Sequence, residues 1–371
     1  MDALILSCGT GGGHDAAAEA VKEEFIRHGH NAVMLNPYTL QSSRLASRIN
    51  HTYISLVQKC PAAFGAVYAA GELYRRLPFC SPVYFVNGRM ADIMAEYLQK
   101  NHFDIVIMPH VFPAEILTYM KNNKMDVPKM IFIATDYACI PFTEESDCDA
   151  YIIPDKSLKK MFTSRGIPAE RIYPLGIPVR SEFSEKMSVR EAREVLGLDI
   201  AKKYILISGG SVGAGKITKA LEMLYNRLNC NYEVQFIVIC GNNMKLYRKL
   251  KNQYGNKIRI IRHTDKIGVY MKACDLFITK PGGLSSTEAA VMEVPLVHLP
   301  PIPGCESFNL HFFTKHGMSK RLRLTEKGIS DILEIMENSA VKKEMLCRQR
   351  RGINKNAAAD ILSLACKLTG R

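Results

Sequence analysis

Twice along this chain a short apolar run ends in a glycine-rich turn that opens onto a helical pattern. Residues 3–6 lead into "SCGTGGGHDAAAEA" (7–20), and residues 204–208 lead into the turn of "ISGGSVGAGKIT" (207–218). A strand that feeds a helix in this way is the unit of a parallel sheet with helices on both faces, since a crossover must return each strand to the same end. The rest of the chain keeps the alternation. Apolar runs at 3–7, 32–35, 105–108, 130–134 and 151–153 predict strands in the first half, and runs at 204–208, 234–239, 258–261, 276–278 and 296–299 in the second. Between the two sets, "YPLGIPVRSEF" carries Pro174, Gly176 and Pro178, which suit a connector. The expectation is an α/β chain of two Rossmann-like, doubly wound domains, residues 1–178 and 179–371, facing a central cleft at their strand ends. A length of 371 residues is enough for two cores.

The hydrophobic fraction of 47% and charged fraction of 23% are those of an ordinary globular chain. A net charge of +13 and a pI near 9.2 are not ordinary, and they favour anionic partners: nucleic acid, acidic lipid head groups or phosphorylated substrates. Eleven cysteines without any C-x-x-C pair argue for reduced thiols in a cytoplasmic chain, not for disulfides or zinc. No apolar stretch approaches the ~20 residues of a membrane span. No basic region precedes the first apolar run, so no signal peptide is expected.

Four loops after strands carry the candidate chemistry. In the first, Gly9, Gly11, Gly12 and Gly13 allow a tight turn, and the next helix offers N–H groups and a positive dipole end to an anion. His14 stands where a dinucleotide fingerprint needs glycine, and the second strand ends in Asn36, not an acid; hydride chemistry on NAD is disfavoured. In the second loop Lys216 precedes Ile217, not the Ser or Thr that holds magnesium in a P-loop. Gly209, Gly210, Ser211 and Gly213 remain able to hold a diphosphate by backbone N–H groups. The third, "TKPGGLSSTEAAVMEVP", puts Pro281, Gly282 and Gly283 in a turn, with a helix expected from Ser285 or Ser286 and Glu288 in its first turn. Glu288 either accepts two ribose hydroxyls or, as the end of the S-x-x-E run from Ser285, closes a capping box. The fourth, "LPPIPGCESFNLHFF", sets Glu306 and Asn309 either at a sugar or in a solvated loop.

Together with "TDY" at 135–137, "ICGNN" at 239–243, "KPGGLSSTEA" and "PGCESFN", these segments resemble the family 28 glycosyltransferases. The likeness is strongest to the diacylglycerol glucosyl- and galactosyltransferases that make monoglycosyldiacylglycerol, with the peptidoglycan lipid-intermediate transferase more distant. The resemblance implies a GT-B fold, a lipid acceptor on the N-terminal half, a UDP-sugar on the C-terminal half, and inverting transfer without metal or other cofactor. It implies donor contacts from Gly13, Gly209, Gly210, Ser211 and Gly213 to the diphosphate, with Gly241 and Asn242 on the same edge and the backbone of His263 and Thr264 at the uracil. Gly282, Gly283, Ser285, Thr287 and Glu288 would surround the ribose, and Glu306 with Asn309 the sugar. His14 would stand at the acceptor hydroxyl, either as the general base that an imidazole of pKa about 6.5 suits or as a cationic phosphate ligand. Asp136 would orient it.

The chain departs from the family pattern at two points. It reads Pro303-Gly304-Cys305-Glu306 where relatives often read P-G-Q-E, which leaves the choice between glucose, galactose and an N-acetylated sugar open. It continues "ACIPFTEE" after "TDY" where many relatives carry His and Trp, with no Trp anywhere, which bears on acceptor recognition. Asp147-Cys148-Asp149 matches the D-x-D metal motif of the other large glycosyltransferase fold, but it precedes a strand and stands apart from the glycine loops, so it reads as a surface turn. Between the second and third strands lies a long helical insertion in which Tyr68, Tyr74 and Phe79 neighbour Arg75 and Arg76. That mixture, with the net charge, predicts a protein resting peripherally on the anionic, cytoplasmic face of the cell membrane, where diacylglycerol or a related lipid is within reach, and the resemblance implies a bacterial one. The other readings are a UDP-N-acetylglucosamine-using transferase on another lipid, a UDP-sugar 2-epimerase, and a nucleic-acid binder. Charge alone suggests the last, no RNA or DNA module supports it, and no nucleic acid is expected. Residues 326–371 read as two or three helices, the last crossing back to the first domain.

Overall fold

The computed structural model describes residues 1–9, 11–77, 79–185, 187–228 and 234–371. Its chain forms two units: Met1–Ser181 with Asn354–Arg371, and Glu182–Ile353. The boundary lies three residues beyond the expected one at Pro178, since Val179, Arg180 and Ser181 stay with unit 1, to which the C-terminal segment from Asn354 also belongs.

Unit 1 holds a parallel sheet in the order β2-β1-β3-β4-β5-β6, from β1 (Asp2–Leu6), β2 (Asn31–Leu35), β3 (Ile105–Met108), β4 (Lys129–Ile133), β5 (Ala150–Ile152) and β6 (Ile172–Tyr173). The central strands are apolar on both faces because helices cover both: every residue of β3 and β5 is buried. Register follows, with Leu4 opposite Val33 on one side and Val106 on the other. The last helix, Ala357–Thr369, packs on unit 1, where Ile361, Leu362 and Ala365 share a core with Val21, Phe25 and Ile131. Asn354 Nδ2 fixes its approach by donating to the Leu175 carbonyl (2.7 Å).

Unit 2 repeats the plan in the order β12-β11-β10-β7-β8-β9, from β7 (Lys203–Ser208), β8 (Val234–Ile239), β9 (Arg259–Ile261), β10 (Leu276–Thr279), β11 (Leu296–His298) and β12 (Lys320–Arg321). The helices Ile217–Leu228 and Glu326–Glu337 seal one face through Leu221, Leu224, Ile332 and Ile335.

The two units differ in surface. Unit 1 has 21 Lys and Arg against 19 Asp and Glu, and unit 2 has 28 against 17, so 11 of the 13 excess positive charges belong to unit 2. Unit 1 instead exposes apolar side chains. Its insertion folds as the helices Ser43–Lys59, Pro61–Tyr74, Pro82–Gly88 and Ala91–Lys100, and there Val67, Leu73, Leu77, Phe79, Phe85 and Val86 are all exposed, Leu73 at 66% and Phe79 at 59%. Among the described residues, no helix is long and apolar enough to cross a membrane.

Candidate active site

In unit 1 the candidate residues follow three neighbouring strands, β1, β3 and β4. The helix Gly12–Arg27 starts with no side-chain cap, its N-cap Gly11 standing at φ 106°, where a Cβ would be strained. His14 thus lies in the first helical turn. The Ser7 hydroxyl donates to Asp15 (2.5 Å), which ties the end of β1 to that turn.

His14 Nδ1 lies 2.8 Å from the Pro109 carbonyl oxygen and 2.9 Å from Thr135 Oγ1. A carbonyl only accepts, so Nδ1 carries the hydrogen and, in the neutral ring, Nε2 keeps its lone pair. That is the tautomer a general base needs. His110 packs edge-on against it, ring centroids 4.6 Å apart. Its Nδ1 accepts from the Phe112 N–H (3.1 Å) and so caps the helix Val111–Asn122. Burial, and then the nearby His14, push the His110 pKa well below its ordinary value, so His14 faces a neutral ring. Asp136 lines the same small pocket as His14, with Thr135, Ala138 and Thr143. Of the two groups at His14 Nδ1, Thr135 opens the "TDY" segment, whereas Pro109 stands at a position no local pattern marks.

Behind this turn a buried network runs from Tyr38 through Asn87 to Glu115: the Tyr38 hydroxyl donates to Asn87 Oδ1, and Asn87 Nδ2 donates to Glu115 Oε2 (2.5 Å each). Glu115 Oε1 has no partner among the described residues. Burial raises the Glu115 carboxyl to about 8, against the opposing bond from Asn87, so it is neutral at pH 7.

In unit 2 the candidate donor residues sit on the loops after β11, β10, β7, β8 and β9, five consecutive neighbours in the sheet. The loop after β7 is closed on itself. Gly210 N–H donates to Ser208 Oγ (3.2 Å) and Gly213 N–H to the Gly210 carbonyl (3.0 Å), so these two amides, expected at a diphosphate, are spent within the turn. Gly213 is required for packing: a Cβ there would lie 2.0 Å from the Cys240 carbonyl oxygen. The neighbouring Asn242 N–H binds the Ser211 carbonyl (2.8 Å), which joins this loop to Gly241. Lys280 adds what sequence reasoning missed. Its Cε would be 3.3 Å from a Cβ on Gly210 and its Nζ 3.6 Å from one on Gly282, so a cation lies between the two glycine turns.

Glu306 is buried, pairs with Lys280 Nζ through Oε1 (2.6 Å) and accepts the Ile302 N–H through Oε2 (2.9 Å). Asn309, also buried, donates to the Pro281 carbonyl (3.0 Å). Both contacts brace the Lys280–Gly282 turn. The helix after this turn is Gly283–Val291, with Gly282 as N-cap and no side-chain cap. Ser285 is therefore inside the helix and Glu288 in its second turn, which removes the capping-box reading and corrects the expected start. Glu288 is only 6% exposed. Thr287 Oγ1 bonds back to the Gly283 carbonyl (2.8 Å), a role within the helix. Ser286 holds His298 Nε2 (2.9 Å) while Ser319 holds its Nδ1 (3.0 Å), and burial lowers this imidazole to about 3. His263 and Thr264 follow β9; the His263 side chain is exposed and Thr264 Oγ1 accepts the Lys266 N–H (3.0 Å).

Arg75 is corrected as well. Its side chain is only 8% exposed and its guanidinium is held by Glu144 (Nε to Oε1 2.6 Å) and Glu72 (3.1 Å), so it binds the insertion to the 140s loop and faces no lipid. Arg76 and Phe79 are exposed, while Tyr68 and Tyr74 are half-buried. The D-x-D carboxylates are taken up inside the chain. Asp147 meets Lys121 (2.6 Å) and Arg171 (2.5 Å), and Asp149 meets Lys129 (3.0 Å) and the Met130 N–H (2.9 Å).

A family model described as "Monogalactosyldiacylglycerol (MGDG) synthase" matches residues 14–179, beginning on His14, and one described as "Glycosyltransferase family 28 C-terminal domain" matches residues 204–363. The chain belongs to glycosyltransferase family 28. A processive diacylglycerol beta-glucosyltransferase of Bacillus subtilis is 26% identical over 357 residues, spanning 94% of this chain and 90% of that one. Its namesake in Staphylococcus carnosus is 29% identical over 245 residues, 65% and 61% of the two chains. Among solved structures, MurG of Acinetobacter baumannii aligns over 99% of both chains with a TM-score of 0.62 at 16% identity. The UDP-GlcNAc 2-epimerase of Neisseria meningitidis, bound to UDP-GlcNAc, aligns over 99% and 100% with 0.64 at 12%. At such identities the likeness is one of fold, and the fold is GT-B.

Proposed function

We propose that this family 28 enzyme is an inverting hexosyltransferase that moves a sugar from a UDP-sugar to diacylglycerol or a related lipid, with no metal in the transfer. His14 carries the reading. Its Nδ1 is committed to Pro109 and Thr135, so Nε2 accepts the proton of the lipid hydroxyl as that oxygen attacks the anomeric carbon, and UDP leaves from the opposite face. Glu288 takes the ribose hydroxyls. Lys280, between two glycine turns, supplies positive charge to the departing diphosphate, the kind of preorganised electrostatics that dominates such steps. Asp136 shares the pocket of His14 and keeps it polar.

The exposed Leu73, Leu77, Phe79, Phe85 and Val86 support docking on a bilayer surface, which makes the enzyme peripheral on the cytoplasmic face of the membrane. The 2-epimerase reading rests on fold likeness alone, whereas the diacylglycerol glucosyltransferases match in sequence over most of the chain. The test is incubation with diacylglycerol vesicles and, in turn, UDP-glucose, UDP-galactose and UDP-N-acetylglucosamine. Glycolipid and free UDP are expected from one of the hexose donors. No glycolipid from any donor, or epimerised UDP-N-acetylglucosamine without lipid, contradicts the proposal.

A further inference from the structure

The excess charge of unit 2 gathers at a place the donor reading does not use. A groove of about 880 Å³ opens at the β12 edge of its sheet, lined by Lys216 and Lys219, by Lys320, Arg321 and Arg323, and by Lys327. Asp331 is the one carboxylate of the lining. Lys320 is paired with Glu334 (2.5 Å), whereas among the described residues no carboxylate pairs with the other five cations. None of the residues proposed to hold the UDP-sugar lines this groove.

Its construction is that of an anion site. Lys216 and Lys219 follow β7, Pro300 follows β11 and residues 322–325 follow β12, at the carboxyl end of a parallel sheet, where such folds bind ligands, while Ser319, Lys320 and Arg321 run along the β12 edge. Two helices of 12 residues each, Ile217–Leu228 and Glu326–Glu337, begin on it, and no side chain caps the second. Their first amides and dipoles add to the field of the cations. Five like charges sharing a concave surface repel one another, and a bound anion relieves that repulsion. Two of the five are arginines, whose planar forks match phosphate oxygens in pairs. Pro300, Leu322 and Leu324 supply the apolar part of the lining, with Leu322 buried beneath it.

We propose that unit 2 carries a second anion site, in which Lys219, Arg321, Arg323 and Lys327 bind the phosphate group of a ligand other than the sugar nucleotide. That chemistry belongs both to a soluble diphosphate and to the head group of an anionic phospholipid, and the experiment separates them. Lys219→Gln combined with Arg323→Gln removes two exposed charges outside the donor loops. Wild type and variant are titrated with sodium pyrophosphate in saturating UDP at low salt, and floated with vesicles of phosphatidylcholine alone or mixed with phosphatidylglycerol. Wild type is expected to bind in at least one arm, and the variant to lose roughly tenfold there with UDP affinity and melting temperature unchanged. Loss with pyrophosphate names a soluble ligand; loss with phosphatidylglycerol vesicles names a lipid head group. Equal behaviour of the two proteins in both arms overturns the site, as does a wild type that binds in neither. If UDP itself fails to bind, the donor reading fails, while the difference between wild type and variant still decides the groove.

Discussion

The two units share one architecture and divide the chemistry of the surface between them. Each is a six-stranded parallel sheet with its candidate residues on the carboxyl-end loops of neighbouring strands. Unit 1 is nearly neutral, with two excess positive charges, and exposes a cluster of apolar side chains on its insertion; unit 2 holds the other 11 and a basic groove. A whole-chain charge of +13 therefore says little about the insertion, which belongs to the nearly neutral unit. The exposed apolar side chains and the basic groove lie on separate units, and each can be altered alone.

The largest effect expected falls on unit 1. His14→Ala removes the proton acceptor and should lower transfer by about 10²–10⁴-fold, the usual range for a general base. Next comes Lys280→Met in unit 2, which should weaken UDP by roughly tenfold or more while leaving uridine affinity alone, with Lys280→Arg recovering part of the loss. Titration calorimetry with both ligands reads the difference. Equal losses for UDP and uridine would make Lys280 a brace for the fold, through Glu306, and not a phosphate contact.

Stability against pH separates the units further. Glu115 is raised from 4.5 to about 8 in the folded chain, so between those values the folded state keeps a proton the unfolded state has released. Stability from this group falls as pH rises through that window and is level above it. The buried His110 and His298, both lowered, act in the opposite sense, losing stability as pH falls below 6.5. From pH 6.5 to 8 the slope expected from unit 1 is therefore that of Glu115, about 2 kcal/mol in all, and Glu115→Gln should flatten it in chemical denaturation. The smallest effect is at the surface. Leu73→Ser with Phe79→Ser should lower vesicle binding by roughly tenfold, insensitively to salt, with the melting temperature kept because both side chains are exposed.

Much of this fold is legible in the sequence because β1, β3, β4, β7 and β8 are apolar on both faces and end in glycine or polar turns. β6 and β12 are not, since two residues at a sheet edge make no periodic pattern. His14 stands out because it interrupts a glycine run, yet Pro109 and Thr135, 95 and 121 residues away, act through a carbonyl and a hydroxyl that only the fold brings near. The polar groups of Glu306 and Asn309 are legible after β11, but not their partners Lys280 and Pro281, 26 and 28 residues away, which only the fold brings near. The S-x-x-E run misled locally, because Gly282 already caps the helix three residues before Ser285 is reached.

The central claim is that unit 1 moves the proton while unit 2 holds the nucleotide. UDP titration of His14→Ala and Glu288→Ala, beside the transfer assay, tests it most directly. The expected result is UDP affinity kept in His14→Ala with transfer lost, and UDP affinity itself lost in Glu288→Ala. An equal loss of UDP affinity in both variants would contradict the account, for it would make His14 a ligand of the donor phosphate instead of the base.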